Sequence, residues 1–221
     1  MARAVVTAGA RDDVLARVRA ALGAASSSPT AIEIPRAYRQ AGSAAGSDRT
    51  AVLAVFAERV SEYRARVHRA SEDDLEHVVA GLLARRRVAV PPAVPCGVRE
   101  LEVLHDDPPL TPRDLDGVDA VLTGCALAIA QTGTIVLDGS DLCGRRALTL
   151  VPDHHVCVVR AEQIVLDVPD AIAELQRMDA ARKPITLISG PSATSDIELE
   201  RVEGVHGPRT LDVVVAGGRE R

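Results

Sequence analysis

The chain has 221 residues, 47% of them hydrophobic and 26% charged, with a formal net charge of −5. That length suits one large α/β domain, or one domain with an appended segment, and allows a substantial buried core. The negative balance gives no overall basic field, and the aromatic set is Phe56, Tyr38 and Tyr63, so nucleic-acid binding is not expected.

The opening MARAVVTAGARDDVLARVRAALG lacks a signal peptide's order of basic region, long apolar run and cleavage site. No run approaches the roughly 18–20 apolar residues of a membrane span. A cytoplasmic protein with no membrane span is expected. Residues 11–22 put Val14, Val18 and Leu22 on one helical stripe, with Gly23 as a stop. A connector rich in Ser, Ala, Gly and Pro follows. The predicted division is residues 1–48, an N-terminal helical arm with a flexible connector, and residues 49–221, an α/β domain.

From Ser47 to about Arg87 the pattern is helical, with Val52, Val55, Phe56, Val60 and Tyr63 on one face. Ser71 and Asp74 read as a capping box, and Arg85-Arg86-Arg87 as the basic end of the helix they open. After Val88 the period changes. Short apolar runs appear at VAVP, LEVL, ALAIA, TIVLD, ALTLVP, HVCVV, ITLIS and TLDVVVAG, interleaved with the helical segments TPRDLDGV, VPDAIAELQRM and TSDIELERV. Continuous rather than alternating runs are those of strands buried on both faces, so the expected fold is an open, mostly parallel α/β sheet flanked by helices.

Cys96, Cys125, Cys143 and Cys157 are too scattered for a zinc clip or an iron–sulfur ligand run, and read as reduced thiols packed as small hydrophobes. In CALAIAQTGTIVLD, two apolar runs flank Gln131-Thr132-Gly133-Thr134. This turn either joins a plain hairpin or offers hydroxyls and amides to a carboxylate or phosphate. In CGRRALTLVPDHHVCVV, Arg145 and Arg146 precede one run and His154-His155 open the next. Adjacent side chains of an extended chain point to opposite faces, so the two histidines do not share an ion. No metal is expected.

In ISGPSATSDIELERVEGVHGP, Ser195 to Glu198 fits S-x-x-E and Gly204 fits the stop of a short helix. The stretch Ser189 to Thr194 then forms a small-residue loop between a strand's carboxyl end and a helix's amino end, where open α/β sheets bind ligands and bare amides attract anions. Asp196 and Glu198 would repel a phosphate dianion, which favours a smaller or partly neutral ligand. His206 and Arg209 stand ready to close over a carboxylate. The candidate ligand-binding set is Thr132, Gly133, Thr134, Ser189, Gly190, Ser192, Ala193, Thr194, Ser195, Asp196, His206 and Arg209, and Glu198 and His206 are the candidate catalytic acid/base groups. No dinucleotide fingerprint, P-loop or nucleophile elbow is present, and no cofactor bound by this chain is expected.

The segments AIAQTGTIVLD, GRRALTLVPDHHVCVV and above all ISGPSATSDIELERVEGVHGPRTL resemble the lactate-utilization (LUD-type) domain family over about residues 118–216, and IPRAYR resembles its amino-terminal region more loosely. The resemblance implies a NagB/RpiA/CoA-transferase-like fold. It also implies an accessory part, without a redox centre of its own, in oxidising L-lactate to pyruvate alongside iron–sulfur partner proteins. Gln131 stands where the family pattern carries an acidic residue, which removes a covalent carboxylate mechanism at that position. Two other readings stay open: a free-standing enzyme acting on a small phosphorylated or carboxylated metabolite, and a regulatory binding module.

Overall fold

Short apolar runs rich in valine need cover on both faces, and here they lie side by side in one sheet. The computed structural model describes residues 8–22, 35, 37, 38, 41, 42, 48–99, 101–178, 183–195, 201–204 and 206–217. It divides into two compact units, residues 1–38 and 39–221. In the first, α1 (Ala8–Leu22) leaves Val14, Val18 and Leu22 exposed. Most of the expected connector lies outside the described residues.

The second unit runs through α2 (Arg49–Glu62), β1 (Arg66–Ala70), α3 (Leu75–Leu82), β2 (Arg87–Val90), β3 (Glu102–His105), α4 (Pro112–Asp116) and β4 (Ala120–Thr123). It continues through β5 (Leu127–Ile129), β6 (Thr134–Leu137), β7 (His154–Arg160), β8 (Ile164–Val165), α5 (Val168–Arg177), β9 (Thr186–Ile188), β10 (Ala193–Ser195), β11 (Arg201–Glu203) and β12 (Thr210–Ala216). Six strands in the order β1-β12-β7-β4-β2-β3, all neighbours parallel, form the main sheet. A smaller mixed sheet has the order β8-β5-β6-β9, and β10 and β11 make an antiparallel pair.

On one face of the main sheet Val88, Leu122, Val156, Val158 and Val214 pack against Leu75 and Val79 of α3. On the other, Cys157, Val159, Leu211 and Val213 meet Phe56 and Val60 of α2 together with Ile135 of the smaller sheet. The fold is thus the expected mostly parallel α/β arrangement, with one difference. Part of one face is covered by a second sheet where helices were expected.

Four sequence readings change. The long helical stretch after Ser47 is broken at Arg64 (φ 68°), and RVHRA becomes edge strand β1. Val67 continues the stripe of Val60 and Tyr63 at helical spacing, which disguised it. AVLT, not among the expected strand runs, is the fully buried strand β4. ALTLVP is no strand: the amides of Leu148, Thr149 and Leu150 reach back to the carbonyls of Arg145, Arg146 and Ala147 in tight turns. Finally, Ser195 does not open a helix. Ala193, Thr194 and Ser195 pair with Glu203, Val202 and Arg201, and the Gly204 amide donates to the Ser192 carbonyl, so this backbone is committed to strand bonding. Residues 196–200, including Asp196 and Glu198, lie outside the described residues.

The centre of the sheet carries one buried charge. Asp212 of β12 has no exposure, and it accepts hydrogen bonds from His154 Nε2 and His68 Nε2, each at 2.6 Å, and from the Arg66 guanidinium. Arg86 Nη1 lies 2.8 Å from His154 Nδ1. Burial opposes the charge on Asp212, but the bonds from His154, Arg66 and His68 outweigh it and hold the carboxyl well below its usual range. Strands β1, β7 and β12 are thereby tied together at one carboxylate.

Removing that charge leaves three donors facing a neutral amide. Asp212→Asn should lower unfolding free energy by about 3 kcal/mol or more, read from the urea midpoint. In the parent chain this stabilisation is fully present above the unfolded carboxyl's pKa of about 3.9 and is lost as pH falls below it towards the depressed folded value. The acid limb of a stability–pH profile should therefore be shallower in Asp212→Asn than in the parent.

Candidate functional site

Alternation along β7 and β12 sends neighbouring residues to opposite faces. His154 and Asp212 meet on the α3 side, while His155 and Leu211 face the other way and line a cavity of ≈ 260 Å³. His155 is almost fully buried, and its Nε2 lies 2.8 Å from the Thr123 hydroxyl. The remaining walls come from three segments: Thr186 to Ser192, the turn bearing Arg146 and Thr149, and His206 to Pro208.

The cavity therefore opens at the amino ends of β7 and β12, not at the carboxyl ends where open sheets commonly bind ligands. Beside the carboxyl end of β4 the chain packs closely on itself. The Gly124 amide donates to the Leu142 carbonyl, and a Cβ on Gly124 would lie 2.6 Å from Leu142 Cγ. At Gly144 an added Cβ would meet Leu148 at 2.4 Å and Pro91 at 3.0 Å.

Of the sequence candidates, Ser189, Gly190, Ser192 and His206 line the cavity. Thr132 and Thr134 stand behind it in a chain of hydroxyls, Thr132 to Thr134 at 2.8 Å and Thr134 to Ser189 at 2.8 Å. Gly133 has no part in the wall: its turn (φ 58°) is pressed on α2, where an added Cβ would sit 2.8 Å from the Arg59 carbonyl carbon. Gln131 is exposed, with its amide bonded to the Leu166 carbonyl. Ala193, Thr194 and Ser195 belong to β10. Arg209 pairs with Asp153 at 3.3 Å and lines a neighbouring ≈ 400 Å³ cavity with Asp116 and Asp153.

The expected convergence of bare amides is not what builds the site. The Ser192 amide donates to the Pro208 carbonyl, and the His206 amide donates to Ser192 Oγ at 3.1 Å. The cavity's polar groups are side chains, and its fixed cation is Arg146, which sequence reasoning placed only at the head of a strand. The adjacent Arg145 is spent on buried Asp106, gripping both carboxylate oxygens at 2.7 and 2.8 Å. Arg146 is held by neutral acceptors instead, the Thr149 carbonyl and hydroxyl at 2.9 Å each and the His206 carbonyl at 3.4 Å. Burial draws its pKa down, although one side of the residue is exposed. Among the described residues no Asp or Glu lines the cavity. No signal in the sequence separates Arg146 from Arg145, because Asp106, which takes Arg145, is distant in the chain.

Among the described residues no helix is long and apolar enough to cross a membrane, and no group of three or more His, Cys, Asp or Glu is placed to hold a metal ion. The LUD domain family matches residues 109–216. The chain is 48% identical over 172 residues to lactate utilization protein C of Deinococcus radiodurans, covering 76% of this chain and 81% of that protein. It is 32% identical over 102 residues to lactate utilization protein C 1 of Bacillus mycoides, covering 44% of this chain and 43% of that one. A crystal structure of a DUF162 family protein from Deinococcus radiodurans superposes with a TM-score of 0.68 at 42% identity, over 77% of this chain and 99% of that one.

Two glycines hold the cavity's supports at positive φ against backbone. Gly190 (φ 87°) leaves 2.7 Å between an added Cβ and the Tyr63 carbonyl oxygen. Gly133→Ala and Gly190→Ala should each cost about 1–2 kcal/mol from conformation alone, with the clash adding to it. Thermal melting should show both below the parent, whereas Gly81→Ala, with open space around it and inside α3, should be neutral or stabilising.

Proposed function

The chain belongs to the LUD-domain family that includes lactate utilization protein C, and from that premise we propose that it serves lactate utilisation as a cytoplasmic accessory component. In this reading it works with iron–sulfur partner proteins that oxidise L-lactate to pyruvate, and it carries no redox centre of its own. The observation that carries the proposal is the 48% identity to lactate utilization protein C of Deinococcus radiodurans over most of both chains.

The chemistry of the cysteines supports the division of labour. Cys125, Cys143 and Cys157 are buried in the core shared by α2 and the two sheets, while Cys96 packs with the cluster on the opposite face. Burial pushes the Cys143 and Cys96 thiols up to about 11. Iron is ligated by thiolate, so the neutral Cys96 and Cys143 are poor ligands. Cys157, drawn down by hydrogen bonds with Cys125, His155 and Thr123, is enclosed in the core with no exposure. What the chain offers a partner is a shaped surface and a cavity bearing one fixed positive charge.

In a strain lacking this chain, growth on L-lactate as sole carbon source should fail, growth on pyruvate should continue, and plasmid-borne parent chain should restore the first. The tagged chain should bring down cysteine-rich partners carrying iron. Undiminished growth of the deletion strain on L-lactate would reject the proposal.

A further inference from the structure

We propose that the cavity between Arg146, Ser189 and Ser192 is a receptor for a short aliphatic monocarboxylate bearing a hydroxyl or oxo oxygen on its second carbon. The inference builds on the lactate-linked reading by assigning a ligand class to the same chain, and it is argued from the cavity's own groups.

The anchor is Arg146. Its three acceptors, the Thr149 carbonyl and hydroxyl and the His206 carbonyl, fix the guanidinium without neutralising it. A planar fork held in this way is pre-organised for a carboxylate, and its charge-assisted bonds are roughly twice as strong as neutral ones. No described acid competes for it within the lining.

The charge count selects against phosphate. A dianion bound without metal takes several cations or a nest of free amides. Among the described lining residues one arginine and no lysine is present, and the Ser192 and His206 amides are already bonded to the Pro208 carbonyl and to Ser192 Oγ. One charge meets one charge.

The hydroxyls supply the second recognition element. Ser192 Oγ accepts the His206 amide, which leaves its own proton to give. Arg146 bonds the carbonyl of that same residue, so the guanidinium and the Ser192 hydroxyl are both held by the backbone of His206. Ser189 is backed by the Thr134 hydroxyl at 2.8 Å, which sets its orientation. An oxygen on the carbon next to a carboxylate falls within reach of such a donor. Ile188 and Leu211 provide an apolar wall for a short carbon chain. At about 30 Å³ per water, ≈ 260 Å³ corresponds to about nine waters, room for a three-carbon acid with a few waters retained.

The test is calorimetric titration of the purified full chain with sodium L-lactate, pyruvate, propionate and inorganic phosphate. Saturable binding of lactate or pyruvate is expected, with propionate and phosphate weaker. Arg146→Gln should weaken lactate or pyruvate binding about tenfold or more while its melting temperature stays near the parent's, and Arg146→Lys should fall between. Arg209→Gln removes an equal charge from the neighbouring cavity and should bind as the parent does. Absence of saturable binding at millimolar carboxylate, phosphate binding as tight as carboxylate, or equal losses in Arg146→Gln and Arg209→Gln would each overturn the assignment. None of these touches the accessory role, which the growth experiment tests separately.

Discussion

A single carboxylate with no contact with water governs how the main sheet is assembled. Asp212 is satisfied only when β1, β7 and β12 are in one register, because His68, His154 and Arg66 come from the two strands flanking its own. A slip of one residue would turn Asp212 to the opposite face of the sheet, away from His68, His154 and Arg66. The ionic cluster is a device of register as much as of stability, and its consequences reach the opposite face. With His154 and Asp212 fixed on the α3 side, His155 and Leu211 are obliged to point into the cavity.

The segment from Gly139 to Leu150 has two effects. Beside the carboxyl end of β4, Leu142 packs on Gly124, while Leu148 packs with Ala89, Leu115, Val118 and Val121 on the face of the sheet. At the amino ends its turn delivers Arg146. Between them, Arg145 locks on buried Asp106 and anchors the segment beside β3. The smaller sheet completes the arrangement. Its edge strand β9 leads directly into Ser189 and Gly190, and Gly190 lies against Tyr63 just beyond α2.

Much of this is legible in the sequence. The change from helical to strand-like runs after Val88 gives the α/β class, and α4 and α5 fall within the expected helical segments TPRDLDGV and VPDAIAELQRM. The opposed directions of His154 and His155 follow from strand geometry alone. Ser189, Gly190, Ser192 and His206, picked for their residue types, do share one cavity. What misled the reading was local pattern without its partners. RVHRA continues a helical stripe, yet becomes a strand because β12 offers an edge. The S-x-x-E signal at Ser195 matches a helix start, but pairing with Arg201 to Glu203 takes the backbone into a hairpin. Both outcomes depend on residues distant in the chain, where propensity is the weaker influence.

The sequence by itself determined the fold class, the covered faces of the strands, the thiols' place in the interior and the small-residue loop that borders the cavity. These follow from periodicity and residue chemistry, which act within a few positions. Only the tertiary structure decided which arginine stays uncompensated, which amides remain free, and at which end of the sheet the cavity opens. Those are matters of pairing across long loops: Asp106 takes Arg145, Asp153 takes Arg209, and Arg146 is left with neutral acceptors. Charge compensation is settled by proximity in space, and no pattern along one chain records it.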